Sequence, residues 1–216
     1  LEGITGVWLI AGYRVRPAAT LLVAAGPLGA VGYGIVPLLE RIDLLGIALF
    51  LAVLPPDDRR PGGVVAPTED RLAPALFGLR SLVGGALIVL AFTEKLARPA
   101  LALAFLDRYP AFNLVRALGI DMSDVAFVRL AGAVELLFGL LIVSGALPQV
   151  AVIVAGIPFN ATLFFLGASE LIGHLPVYGV MLALLVYGSD PRTADLVPWM
   201  PVGRAAWEAV RRATLP

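Results

Sequence analysis

Seven polar side chains interrupt stretches of this chain that are otherwise apolar: Arg80, Lys95, Arg129, Glu135, Asn160, Glu170 and His174. An ionisable group near the centre of a bilayer costs at least roughly 2.5–3.5 kcal/mol, so each must be matched by a partner or a function. Glu170 and His174 stand four apart and share one helix face. Glu135 lies ten residues into its apolar run, which at a rise of about 1.5 Å per residue puts it near mid-depth. His174 is the single histidine, and imidazole is the only side chain that ordinarily titrates near neutrality.

Four chemistries fit these types and spacings. Glu135, Glu170 and His174 suit a pocket for a quinone or other small molecule, exchanging protons with a bound carbonyl or hydroxyl. The same three groups could ligate a divalent ion, but two carboxylates and one imidazole are a thin ligand set. No HExxH or ExxH pairing accompanies them, and no metal is expected. A proton relay is the third reading. In the fourth, the charges only fix helix register, Glu135 pairing with Arg80 or Arg129 and Glu170 with His174 or Lys95. The residues that touch a substrate are not assigned by sequence. The candidates for a quinone or small-molecule site are Glu135, Glu170, His174, Arg80, Arg129, Lys95 and Asn160.

Composition sets the surroundings in which these groups act. Of 216 residues, 59% are hydrophobic and 15% charged, with a mean hydropathy of +0.91. Soluble domains are roughly 45–50% apolar and about 25% charged. Disorder, a collagen-like fibre and an ordinary globular enzyme are excluded. Sixteen basic residues balance sixteen acidic ones, so no positive field attracts nucleic acid. With no cysteine, the chain has no disulfide, thiolate metal site, iron–sulfur ligand or thiol–disulfide chemistry. The lone histidine excludes a bis-histidine haem within one chain, and no covalent cofactor is expected. A first residue of leucine suits a mature form or a fragment, and no basic signal-peptide n-region is visible.

The expected fold class is all-α, a polytopic membrane protein. Apolar runs near 1–13, 17–38, 41–56, 73–94, 125–146, 149–168 and 171–188 predict seven transmembrane helices. They do not alternate as barrel strands would. The Pro-, Gly- and charge-rich stretch 57–71 reads as a linker, 95–124 as an amphipathic segment in the interface, and 191–216 as an amphipathic tail. Arg14, Arg16, Arg59, Arg60, Arg71, Arg192, Arg204, Arg211 and Arg212 fall on one side of the seven spans. Arg41, Lys95, Arg98, Arg108 and Arg116 fall on the other. Nine against five predicts a cytoplasmic C-terminus and linker.

A repeat with an offset of 133 residues runs through the chain. Glu2, Gly6 and Gly12 match Glu135, Gly139 and Gly145 in the pattern E-x3-G-x5-G, and Gly46 falls on Gly179. Residues 1–56 then read as the last three spans of a four-span unit whose first helix lies upstream of Leu1. Residues 72–190 read as a complete unit.

The complete unit resembles the DoxX family of four-helix membrane proteins. The likeness is carried by Phe92-Thr93-Glu94-Lys95-Leu96, by Gly132-Ala133-Val134-Glu135-Leu136-Leu137-Phe138-Gly139, and by Glu170-Leu171-Ile172-Gly173-His174-Leu175-Pro176-Val177-Tyr178-Gly179. It implies a four-helix bundle per unit in a bacterial or archaeal inner membrane. Some members are subunits of thiosulfate:quinone oxidoreductase or of other redox complexes. The thiol–disulfide branch of the family does not carry over to a chain without cysteine. The N-terminal copy keeps Glu2 but has Arg41 where His174 falls. The resulting expectation is a membrane subunit of a quinone-linked redox assembly, surrounded by lipid and by partner subunits. The alternative is a non-catalytic anchor or scaffold docking its partner through 95–124. A transporter with parallel repeats is a third possibility.

Overall fold

The computed structural model describes residues 2–54, 69–145 and 148–189. The expected tail 191–216 lies outside them, as does most of the linker. The linker's last residues, Glu69–Arg71, instead open a helix.

Every described element is helical. Helix α1 (Glu2–Ala11) leads to α2 (Val15–Ala25), α3 (Leu28–Tyr33), α4 (Ile35–Glu40) and α5 (Ile42–Val53). Helix α6 (Glu69–Leu90) runs on through a π-helical turn, Ala91–Leu96. Helix α7 (Ala100–Arg108), a 3-10 turn at Pro110–Phe112 and α8 (Leu114–Ala117) precede α9 (Asp124–Ser144). Helices α10 (Pro148–Leu166) and α11 (Ala168–Ser189) complete the described chain.

Three of these stretches are long and apolar enough to cross a membrane: Val15–Tyr33, Arg71–Leu96 and Asp124–Ser144. Shorter apolar helices cover Ile42–Val53, Val152–Phe164 and His174–Tyr187. Helix α1 has ten residues, or roughly 15 Å of rise against a hydrocarbon core of about 30 Å. The expected single span 17–38 is shortened. Pro27 has no N–H to bond back into α2, although Gly26 and Pro27 keep right-handed helical angles and Val15–Tyr33 runs on as one stretch. Gly34 takes φ 89°, a left-handed value that stops that stretch after Tyr33. The expected 95–124 stretch is several pieces, with Pro99 and Pro110 opening new helical turns and Gly119 at φ 84°.

The core sits where α6, α9, α10 and α11 meet. Leu79, Val83 and Leu87 of α6 pack with Phe138 and Ile142 of α9, Val152 and Ala155 of α10, and Val180, Met181 and Leu184 of α11. Helix α5 covers the opposite flank of α6, and α2 covers α5.

Four helix boundaries recur at the 133-residue spacing. Helix α1 ends at Ala11 and α9 at Ser144, while α2 begins at Val15 and α10 at Pro148. Helix α3 ends at Tyr33 and α10 at Leu166, while α4 begins at Ile35 and α11 at Ala168. The glycines that close these helices pair in conformation too: Gly12 and Gly145 have φ 68° and 72°, and Gly34 and Gly167 have φ 89° and 80°.

Helix α6 reaches α9 through backbone. A Cβ at Gly84 would stand 2.6 Å from the Gly139 carbonyl oxygen, and one at Gly139 would stand 2.8 Å from the Gly84 oxygen. Small residues that admit such contact are a common device where hydrophobicity cannot drive helix association. Gly84→Ala should therefore lower stability by about 1–3 kcal/mol, the usual cost of overpacking. Gly85→Ala, whose Cβ would meet nothing within 4 Å, should cost nothing. Unfolding of the two variants in one detergent compares them directly, and equal midpoints would refute the close crossing.

Candidate functional site

The π-turn at the end of α6 places the charged residues. It follows an apolar helix, and its wider winding is seen in the bond from Ala97 N–H to the Phe92 carbonyl at 2.8 Å. Such single π-turns are frequent at functional sites, because an extra residue in one turn re-aims the side chains that follow. Thr93 folds its hydroxyl back onto the Val89 carbonyl at 3.0 Å. Lys95, two residues on, is turned toward α9.

Helix α9 gives it room. A Cβ at Gly132 would meet Lys95 Cβ and Leu96 Cγ, each at 2.9 Å, so the turn can lie against α9 only because Gly132 has no side chain. Three residues later on the same face stands Glu135. Lys95 Nζ donates to Glu135 Oε2 at 2.8 Å and stands 3.7 Å from Glu94 Oε2. The Lys95 and Glu135 side chains keep only 24% and 20% exposure, against 42% for Glu94. The result is an ammonium held between two carboxylates, largely withdrawn from the surface.

The other expected site residues lie elsewhere or take other partners. Arg80 is buried, with its guanidinium carbon 5.6 Å from the Phe77 ring centroid. It precedes Lys95 by fifteen residues, roughly 22 Å along a helix. Arg129 is exposed near the start of α9. Among the described residues the ion-pair partner of Glu135 is therefore Lys95, not Arg80 or Arg129 as the register reading had it. Asn160 belongs to a different seam: its Nδ2 donates to the Gly156 carbonyl at 2.7 Å, and its Oδ1 accepts from the Tyr178 hydroxyl at 3.3 Å, tying α10 to α11. His174 is partly buried on α11. The Glu170 side chain lies outside the described set, so the expected pairing of the two stays a sequence expectation. Among the described residues no three His, Asp or Glu side chains gather as metal ligands.

A second polar network was not anticipated. Asn113 is fully buried. Its Oδ1 accepts from the Arg116 backbone N–H at 3.1 Å, while its Nδ2 donates to the Met122 carbonyl at 3.1 Å and to Asp124 Oδ1 at 2.9 Å. Arg116 Nη1 lies 3.1 Å from Asp124 Oδ1, and its Nη2 donates to the Pro110 carbonyl at 3.2 Å. Ser123 caps α9 by accepting from Ala126 N–H at 3.2 Å. The network ties the loop between α7 and α9 to the start of α9 and so fixes where the Glu135 helix begins. The available signal was an Asn three residues before an Arg, then Ser-Asp before an apolar run, a helix-start pattern.

No protein-family profile, curated protein or solved structure matches this chain.

Removing one partner of a covered ion pair leaves the other charge uncompensated, at about 3–5 kcal/mol for full burial. With about a fifth of each side chain exposed, Lys95→Met should cost about 3 kcal/mol. The double variant Lys95→Met with Glu135→Leu should recover most of that loss. A double-mutant cycle by unfolding in detergent reads the coupling, and additive losses would show that the two groups do not interact.

Proposed function

We propose that this chain is the membrane subunit of a quinone-linked oxidoreductase assembly, with the head-group site at Lys95 and Glu135. The observation that carries this reading is the 2.8 Å contact between an ammonium in the last turn of one helix and a carboxylate at the middle of another, both helices being long enough to span a bilayer. Glu135 is the twelfth residue of α9, roughly 16 Å along it from Asp124. Ionisable groups at such depth mark ligand or proton pathways more often than soluble-protein salt bridges do.

The donor set fits a quinone. Lys95 has three N–H donors and uses one on Glu135, leaving others to bond a carbonyl oxygen. Glu135 can hold a proton at Oε and pass it on once the ammonium has moved to that oxygen. Glu170 and His174, four apart in the sequence of α11, supply a carboxyl and an imidazole as a second proton-exchanging face. A bound quinone takes up two electrons, which must come from a partner subunit, and two protons, which these residues deliver. The same reading comprises seven spans, a DoxX-like four-helix unit over 72–190 preceded by a partial unit over 1–56, and an inner-membrane location with 191–216 in the cytoplasm.

Glu135→Gln and His174→Ala should each reduce quinone-linked turnover of the reconstituted assembly by about a hundredfold, the lower range for losing a positioned proton donor. Assembly on a sizing column should be unchanged. Full turnover by Glu135→Gln in an intact complex would overturn the site.

One observation favours a second reading, a scaffold that docks a partner through 95–124. Leu101, Leu118 and Ile120 are 69%, 80% and 57% exposed at that end of the bundle. If that face holds the partner, Leu118→Lys with Ile120→Lys releases it from co-purification while the bundle stays folded. Retention of the partner excludes the scaffold.

A further inference from the structure

We infer that the cleft between α1 and α11 is the seat of one membrane-spanning helix of a partner protein, built like α6: apolar, with small residues where it crosses its neighbours. The cleft has a volume of about 1200 Å³ and is walled by Gly6 and Leu9 of α1, by Leu45 of α5, and by Pro176, Gly179 and Ala183 of α11. A helix about 10 Å across fills roughly that volume with 15 Å of its length.

What belongs there is shown by what occupies the matching faces elsewhere in the same chain. The packing of α1 on α2 and of α2 on α5 recurs as α9 on α10 and α10 on α11, between helices whose boundaries match at the 133-residue spacing. In this correspondence α6 touches two glycines. On α9 it meets Gly139, whose added Cβ would stand 2.7 Å from Ile88 Cγ1 and 2.8 Å from the Gly84 oxygen. On α5 it meets Gly46, whose added Cβ would stand 2.9 Å from Leu82 Cβ.

The counterpart of Gly139 is Gly6, and the counterpart of Gly46 is Gly179. Among the described residues an added Cβ at either would meet nothing within 4 Å. Both vacant faces open onto the same cleft. A single helix there would cover α1 and α11 together as α6 covers α9 and α5. Lipid can cover apolar side chains, but it does not complete a close glycine crossing.

The absence of native cysteine makes the test clean. The full chain, carrying Gly179→Cys or Gly6→Cys, is placed in phosphatidylcholine nanodiscs with a synthetic peptide of its own residues 71–96. In the peptide, Leu82→Cys or Ile88→Cys marks the faces that meet Gly46 and Gly139. Disulfides should form between Gly179→Cys and the Leu82→Cys peptide, and between Gly6→Cys and the Ile88→Cys peptide. They should be lost for the swapped pairs and for the exposed control Leu137→Cys on α9.

Filling the seat from the opposite wall, with Gly6→Leu in the first pair or Gly179→Leu in the second, should abolish each disulfide. Both substitutions enter open space, so the bundle's melting should not change. Disulfides no more frequent than at Leu137→Cys overturn the proposal. So does preferential linkage of Gly6→Cys to Gly179→Cys between two copies, which would make the cleft a self-association face. Lipid retained in the cleft and not displaced by the peptide overturns it as well.

Discussion

The distance between α6 and α9 governs the charged site, and glycine sets that distance. Where Gly84 faces Gly139 the helices touch through carbonyl oxygens. Further along, Gly132 lets the π-turn lie against α9 with Lys95 Cβ and Leu96 in contact. The crossing at Gly132 is the one next to the ion pair, and it sets how far Lys95 Nζ must reach to stand 2.8 Å from Glu135 Oε2. The same approach brings Leu79, Val83 and Leu87 onto Phe138 and Ile142, so core packing and the ion pair share one geometric cause.

This dependence bears on why the ion pair exists. Burying two charges is a poor way to hold helices together, because desolvation offsets most of their attraction and apolar replacements of similar volume often do as well or better. The glycine contacts already fix the spacing of α6 and α9. A lysine and a glutamate placed between the two helices therefore add little to their association beyond what the glycine contacts supply. The Asn113–Arg116–Asp124 network differs. It lies in a loop, satisfies a buried amide completely and caps a helix, which is what structural polar groups do.

The parts of this arrangement that follow from hydropathy were legible in the sequence. Apolar runs at 73–94 and 125–146 correspond to Arg71–Leu96 and Asp124–Ser144. Glycines at 84, 132 and 139 were readable as points of close helix approach, although not which glycine meets which backbone. The partner of Glu135 was not legible. Regular α-helical winding gives no sign of the π-turn, and without it Lys95 reads as a residue past the end of a span. Shortening of the 17–38 run shows the opposite failure. Hydropathy averages over Gly34, whereas the backbone, at positive φ there, cannot continue the helix.

Helices α10 and α11 are separated by Gly167 alone and are bonded across by Asn160 and Tyr178, seven and eleven residues to either side of it. The chain therefore doubles back on itself within one residue, with no room at the bend for a polar loop. Such a hairpin returns the polypeptide to the end of the bundle from which it set out. Ser144 at the end of α9 and Ser189 at the end of α11 therefore stand at the same end, and any partner that meets one of these termini meets the other.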